Sequence, residues 1–150
     1  MSLEENKAII LTMCETMNTE DLASRLATMD ELLAPDFVEH TQKLEGLESF
    51  KQFHTQFTEG FPDINRTIED VIAEGDKVWI RVKYTGTHTG EFYGVPATYK
   101  KITFTSVQIY RMVDGKAVER WSVSDNMDFF RQLGLIEYTE KGKKLFPEGT

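Results

Sequence analysis

Asp125 closes the run Glu119-Arg120-Trp121-Ser122-Val123-Ser124-Asp125, which follows the turn Asp114-Gly115-Lys116 and reads as a final strand. Strand side chains repeat every two residues, so Glu119, Trp121, Val123 and Asp125 share one face. A carboxylate beside an indole and a valine is disfavoured when charged, and its pKa should rise. Such a group can act as general base or acid without a metal or cofactor. The structural role competing for Asp125 is an N-cap on a turn starting at Asn126 and Met127.

Three histidines could assist. His88 has the strand parity of Ile80, Val82 and Tyr84, the more apolar and therefore inward face. It could donate to a substrate oxygen or to Asp125, or simply bond loop backbone. His40 follows Phe37 at the end of a short extended piece, as a pocket donor or a packed polar residue. His54 falls on a stripe with Phe50, Phe53 and Phe57 at helical spacing, where a satisfied core histidine competes with a pocket role. The three lie on dispersed segments with no His-x-x-x-His pair, so no metal is expected. Phe61 and Trp121 are expected to shape a pocket together with Phe57 and Tyr84. Cys14, among Ile10, Leu11, Met13 and Met17, reads as a small core residue. Gly86, Gly90 and Gly94 lack the strand-turn-helix context of a dinucleotide site. They read as a loop that allows close backbone approach at a pocket mouth, and no cofactor is expected.

These residues need positioning. Ser2-Leu3-Glu4-Glu5 resembles a helix start, continued by Ile9, Ile10, Met13 and Met17. Thr19-Glu20-Asp21 should start a second helix, with Leu22, Leu26, Met29, Leu32 and Leu33 as its apolar stripe and Pro35 ending it. Residues 37–41 are extended. A third helix begins near Gly46-Leu47 and stops at Gly60-Phe61-Pro62. Strands are predicted over 64–74, 77–87, 101–112 and 116–125, with Asp114-Gly115 as a hairpin turn. A helical turn or two over 127–133 ends at Gly134. Trp79, Arg81 and Lys83 take the parity opposite to Ile80 and Val82, a half-polar face suited to a partner subunit.

Helices followed by an antiparallel run indicate α+β, a curved antiparallel sheet packed against three N-terminal helices and closing a cone-like pocket. The 150 residues suit one domain, residues 1–136, with a polar tail over 137–150. Hydrophobic residues at 40% and charged residues at 28% are a globular balance. The net charge of −8 argues against nucleic acid and anionic membranes as partners. The lone cysteine and the absence of a membrane-length apolar run or signal-peptide pattern make the cytoplasm the expected compartment.

A set of words then follows in order: Leu-Leu-Ala-Pro-Asp-Phe-Val-Glu-His (32–40), Phe-Pro-Asp (61–63), Gly-Asp-Lys-Val (75–78), Gly-Thr-His-Thr-Gly-Glu-Phe (86–92), Val-Pro-Ala-Thr (95–98), Asp-Gly-Lys (114–116), Glu-Arg-Trp (119–121), Asp125 and Gln-Leu-Gly (132–134). From about residue 5 to 135 the chain resembles the SnoaL-like polyketide cyclase family, within the nuclear transport factor 2-like superfamily. The resemblance implies a cone-shaped α+β barrel, a homodimer formed through the sheet, and a deep pocket for a small hydrophobic carbonyl or polyketide-like molecule. It implies an aspartate at the end of the last strand as general acid/base for an intramolecular aldol condensation, at the position of Asp125. It also implies pocket histidines at His88 and His40. Where many members carry Gly-Lys after Pro-Ala-Thr, this chain has Tyr99-Lys100, which places a bulky Tyr99 where it would narrow the pocket. Two further functions suit such a fold: a water-activating hydrolase of the epoxide-hydrolase type, and a non-enzymatic binding module.

Overall fold

A computed structural model describes residues 1–19 and 21–146. Helix α1 (Leu3–Thr19) opens on a capping box, in which Ser2 Oγ accepts from the Glu5 N–H and Glu5 Oε2 accepts from the Ser2 N–H. It buries Ile10, Met13 and Met17 of the predicted stripe, together with Cys14, while Ile9 is partly buried. Asp21 caps α2 (Leu22–Leu32) by accepting from the Ser24 N–H at 2.7 Å; Glu20, part of the expected start, lies outside the described residues. The helix ends at Leu32, three residues before Pro35. Strand β1 (Leu33–Glu39) begins at once, and its pairing is irregular between Leu33 and Val38, where Pro35 has no N–H to donate. A two-residue strand β2 (Leu44–Glu45) and helix α3 (Leu47–Gly60) complete the first part.

Strands β3 (Asn65–Glu74), β4 (Lys77–Thr87), β5 (Lys101–Val113) and β6 (Lys116–Ser124) form a meander. A short helix α4 (Asn126–Gln132) and a single 3₁₀ turn (Gly142–Lys144) follow. The six strands lie in the order β2-β1-β6-β5-β4-β3. The sheet is mixed, a correction to the wholly antiparallel sheet expected, because β1 runs parallel to β6. Hairpins force alternation only within the meander. The direction of β1 is set separately, by its exit from α2.

Strand alternation is clean on β4 and β5. Val78, Ile80, Val82 and Tyr84 are buried, as are Ile102, Phe104, Ser106, Gln108, Tyr110 and Met112. Trp79, Arg81 and Lys83 face outward as the parity predicts. On β6 the register shifts opposite Arg111 and Met112, which pair with Glu119 and Ala117. The extra residue, Val118, lets both Ala117 and Arg120 point inward. The inward face of β6 is therefore Arg120, Ser122 and Ser124, whereas Glu119, Trp121 and Val123 look out, with Val123 70% exposed. Trp121 and Val123 therefore do not make the apolar inner environment for Asp125 that strand alternation alone predicts. The tail packs Tyr138 on Phe146 with ring centroids 4.4 Å apart; residues 147–150 of the expected tail lie outside the described residues. No described helix is long and apolar enough to cross a membrane.

Candidate functional site

The concave side of the sheet and helices α1, α3 and α4 enclose a cavity of about 470 Å³. Phe50 and Phe57 from α3, Phe104 from β5 and Phe129 from α4 line it, with Tyr84 from β4. Tyr84 stacks on Phe104 at 4.9 Å, and Phe104 on Phe129 at 4.5 Å. These flat faces suit an aromatic or planar ligand.

One wall is polar. Arg120 Nη1 donates to Glu39 Oε2 at 2.7 Å, and both residues are buried. Glu39 Oε1 also accepts from the backbone N–H groups of Thr41 and Gln42 at 2.7 and 3.3 Å. Arg120 Nε donates to the Tyr110 hydroxyl at 3.1 Å, which donates to Gln108 Oε1 at 3.2 Å. Gln108 Nε2 then donates to the Tyr84 hydroxyl at 2.6 Å. The run is directional: Tyr84 oxygen accepts, so its own O–H remains available to a ligand. Ser124 Oγ donates to Ser106 Oγ at 2.8 Å beside it. Burial opposes the charge on Arg120, but its neighbours Tyr110, Tyr84 and Glu39 outweigh that and hold its pKa above the ordinary value. Burial pushes the Tyr110 phenol up, so it stays a neutral donor.

The cavity includes His54 from α3, whose pKa falls to about 3 through burial first and then the positive charges of Arg66, Arg25 and Arg120. Its imidazole is neutral, and Nε2 is buried without a partner. Cys14 also lines the cavity, with burial raising its thiol to about 11, so it is no thiolate nucleophile.

The other expected site residues lie elsewhere. Asp125 caps α4: its Oδ1 accepts from the Asp128 N–H at 3.1 Å, and the side chain is exposed. Its neighbours Ser124 and Asn126 line the cavity, whereas Asp125 borders a second hollow under Tyr138 and Phe146. Asparagine caps as well as aspartate, so Asp125→Ala should lower stability by about 1 kcal/mol in urea unfolding and Asp125→Asn by almost nothing. Equal losses would show that charge, not capping, stabilises this end.

His88 is fully buried under the 88–98 loop, outside the cavity lining. Its Nδ1 lies 2.9 Å from Thr98 Oγ1 and its ring stacks on Phe61 at 5.1 Å, while Nε2 has no partner. Phe61 is itself behind the lining, packed on Phe57 at 5.2 Å. His40 is on the outer face of the sheet, stacked on Trp121 at 4.8 Å, with Nε2 3.6 Å from Glu119. Tyr99 is 74% exposed and away from the cavity. The 88–100 segment supplies Phe92, Tyr93 and Val95 to the lining instead. Gly90 sits so close to the Glu59 carbonyl that any Cβ would collide with it, the close backbone approach that its type suggested. Of the expected residues, the cavity gathers His54, Phe57 and Tyr84. Sequence reasoning missed Arg66, Gln108, Tyr110 and Arg120. The alternation Phe104, Ser106, Gln108, Tyr110 was the available signal: polar residues at the parity of buried aromatics.

The model of the SnoaL-like polyketide cyclases matches residues 8–133. This chain belongs to that family. Among SnoaL-like relatives, it is 30% identical over 134 residues to aklanonic acid methyl ester cyclase DauD of Streptomyces sp. (strain C5), covering 88% of this chain and 81% of that one. It is also 30% identical over 129 residues to aklanonic acid methyl ester cyclase DnrD of Streptomyces peucetius, covering 85% and 87%. The crystal structure of AclR from Streptomyces galilaeus superposes with a TM-score of 0.80 at 30% identity, covering 93% of this chain and 87% of AclR. The SnoaL-like fold thus extends over nearly the whole chain, and in it the polar wall of β5 and β6 is the inner face of the cone.

Proposed function

We propose that this SnoaL-like protein binds a small, largely apolar, polyketide-like carbonyl compound and promotes its enolisation without a cofactor. Enolisation opens either an intramolecular aldol closure or an isomerisation. The two cyclase relatives are named for aklanonic acid methyl ester, and a cyclisation of that general kind is the activity proposed. The observation carrying this reading is the donor run from Arg120 through Tyr110 and Gln108 to Tyr84, ending at an aromatic cavity. In this reading the Tyr84 O–H donates to the substrate oxygen as negative charge develops there. Arg120 polarises the run, and its charge lies in a setting that water screens poorly. The geometry costs nothing at the moment of reaction, because Glu39 and the stacked rings already hold it. Asp125, which borders the second hollow but is flanked in the chain by the lining residues Ser124 and Asn126, is proposed as the acceptor of the α-proton; the cap uses only Oδ1.

The test is exchange of the α-protons of 1-tetralone for deuterium in D₂O, followed by proton NMR. Wild type should accelerate exchange. Tyr84→Phe should slow it about 10²-fold or more with a nearly unchanged KM, since the lost bond strengthens only in the transition state. Asp125→Asn keeps the cap and should also slow exchange. Full activity in that variant would remove Asp125 from the mechanism.

One observation favours a second reading. Among the described residues no carboxylate lines the cavity, which suits a binding module. Saturable binding of 1-tetralone with no accelerated exchange would establish that reading over enolisation.

A further inference from the structure

We propose that the ligand of this cavity carries a carboxylate, received by Arg66 on the cavity wall beside His54. The inference rests on the cavity being the binding site, as proposed above, and narrows the class of ligand.

Arg66 and Arg120 line the cavity, and no described carboxylate does. Arg120 is matched by Glu39 behind it. Arg66 forms no ion pair among the described residues, and neither does Arg25, which is only 8% exposed with Nε unpartnered. The cavity wall thus carries an unmatched guanidinium at Arg66, with Arg25 outside the lining, in a chain whose net charge is −8. Neighbouring positive groups repel one another, and an anion that joins the half-buried Arg66 relieves that repulsion. Burial, and after it the charge of Arg66, lower the pKa of Arg25, which reports that repulsion.

Arg66 is also held in place. Its backbone carbonyl accepts from Asn18 Nδ2 at 2.7 Å, and its N–H donates to Asn18 Oδ1 at 2.8 Å. The guanidinium lies 5.4 Å from the Tyr84 ring centroid. Its one side-chain hydrogen bond among the described residues, Nη1 to the Met17 carbonyl, is long at 3.4 Å. A guanidinium has five N–H donors in a planar fork that fits a carboxylate. His54, 6% exposed with Nε2 unpartnered, adds a neutral imidazole to the same cavity. A carboxylate here would offset the surplus charge and occupy donors that the protein leaves unused. The carbonyl to be enolised would then lie toward Tyr84, so Arg66 would fix which end of the ligand enters first.

The experiment compares two probes of the same shape, 2-naphthoate and methyl 2-naphthoate, by isothermal titration calorimetry at neutral pH. Wild type, Arg66→Met and Arg66→Lys are titrated, with thermal melts confirming that each is folded. Wild type should bind the acid at least about 10-fold more tightly than the ester. Arg66→Met should weaken the acid about 10-fold or more and leave the ester within roughly 3-fold. Arg66→Lys, keeping charge without the fork, should fall between. An ester that binds as tightly as the acid, or equal weakening of both by Arg66→Met, overturns the carboxylate and leaves the cavity standing. Failure of both probes to bind wild type rejects the cavity as a ligand site, and this inference with it.

Discussion

Arg120→Met will destabilise the protein by about 3–5 kcal/mol, because it leaves Glu39 buried and charged with its cation gone. The Glu39 carboxylate would keep the N–H groups of Thr41 and Gln42, but two backbone dipoles do not replace a guanidinium. Tyr110 and Gln108 would lose their anchor at the same time. For a chain of this size the loss corresponds to a fall in Tm of roughly 10 °C. The double variant Glu39→Gln with Arg120→Met separates the causes. If the unpaired charge is what costs, the double variant recovers much of the loss in urea unfolding. A double variant as unstable as Arg120→Met alone would put the cost in lost packing against Phe50 and Tyr110, whose rings lie 5.2 and 5.7 Å from the guanidinium.

His54 gives the second large effect, and it depends on pH. Its pKa falls from the ordinary 6.5 to about 3 in the folded chain, through burial and the three arginines. The unfolded chain therefore binds a proton that the folded chain refuses. The contribution to stability is full above about pH 6.5 and is lost progressively as pH falls toward 3, at up to about 1.4 kcal/mol per unit. Near pH 5 the wild type should already have lost about 2 kcal/mol from this group alone. His54→Leu removes the titration and an unpartnered buried nitrogen, while keeping an apolar side chain on α3. Urea unfolding at pH 7 and pH 5 should show a steeper loss for wild type than for His54→Leu. Parallel pH profiles would mean that His54 takes up its proton in the folded state. Carboxylates with lowered pKa, such as Glu119 beside Arg111, titrate in both proteins and cancel in this difference.

The two effects have one origin. The cone encloses polar groups that other folds would leave in water, and it compensates them with one another. Glu39 balances Arg120, burial and after it the arginines keep His54 neutral, and Arg66 has no ion pair among the described residues. Arg120 and His54 thus bear on stability and also line the cavity.

The amino-acid sequence determined the order of elements, because local chemistry decides those boundaries. Ser2 and Asp21 cap helices by their own side chains, Asp114-Gly115 makes a hairpin turn, and period-two alternation marks β4 and β5. It also determined the family, through ordered words that fold into turns and strand ends. The direction in which β6 faces was a tertiary matter. The rule that apolar faces point inward selects Trp121 and Val123, but here the inner face that lines the cavity carries Arg120, Ser122 and Ser124. The shift at Val118 adds a change of parity that no local pattern announces. Asp125 lies just beyond that strand, where the backbone turns into α4 and its carboxylate meets the Asp128 N–H. Only the curved sheet and the helices packed on it bring Arg66, 54 positions before Arg120 in the chain, to the same cavity.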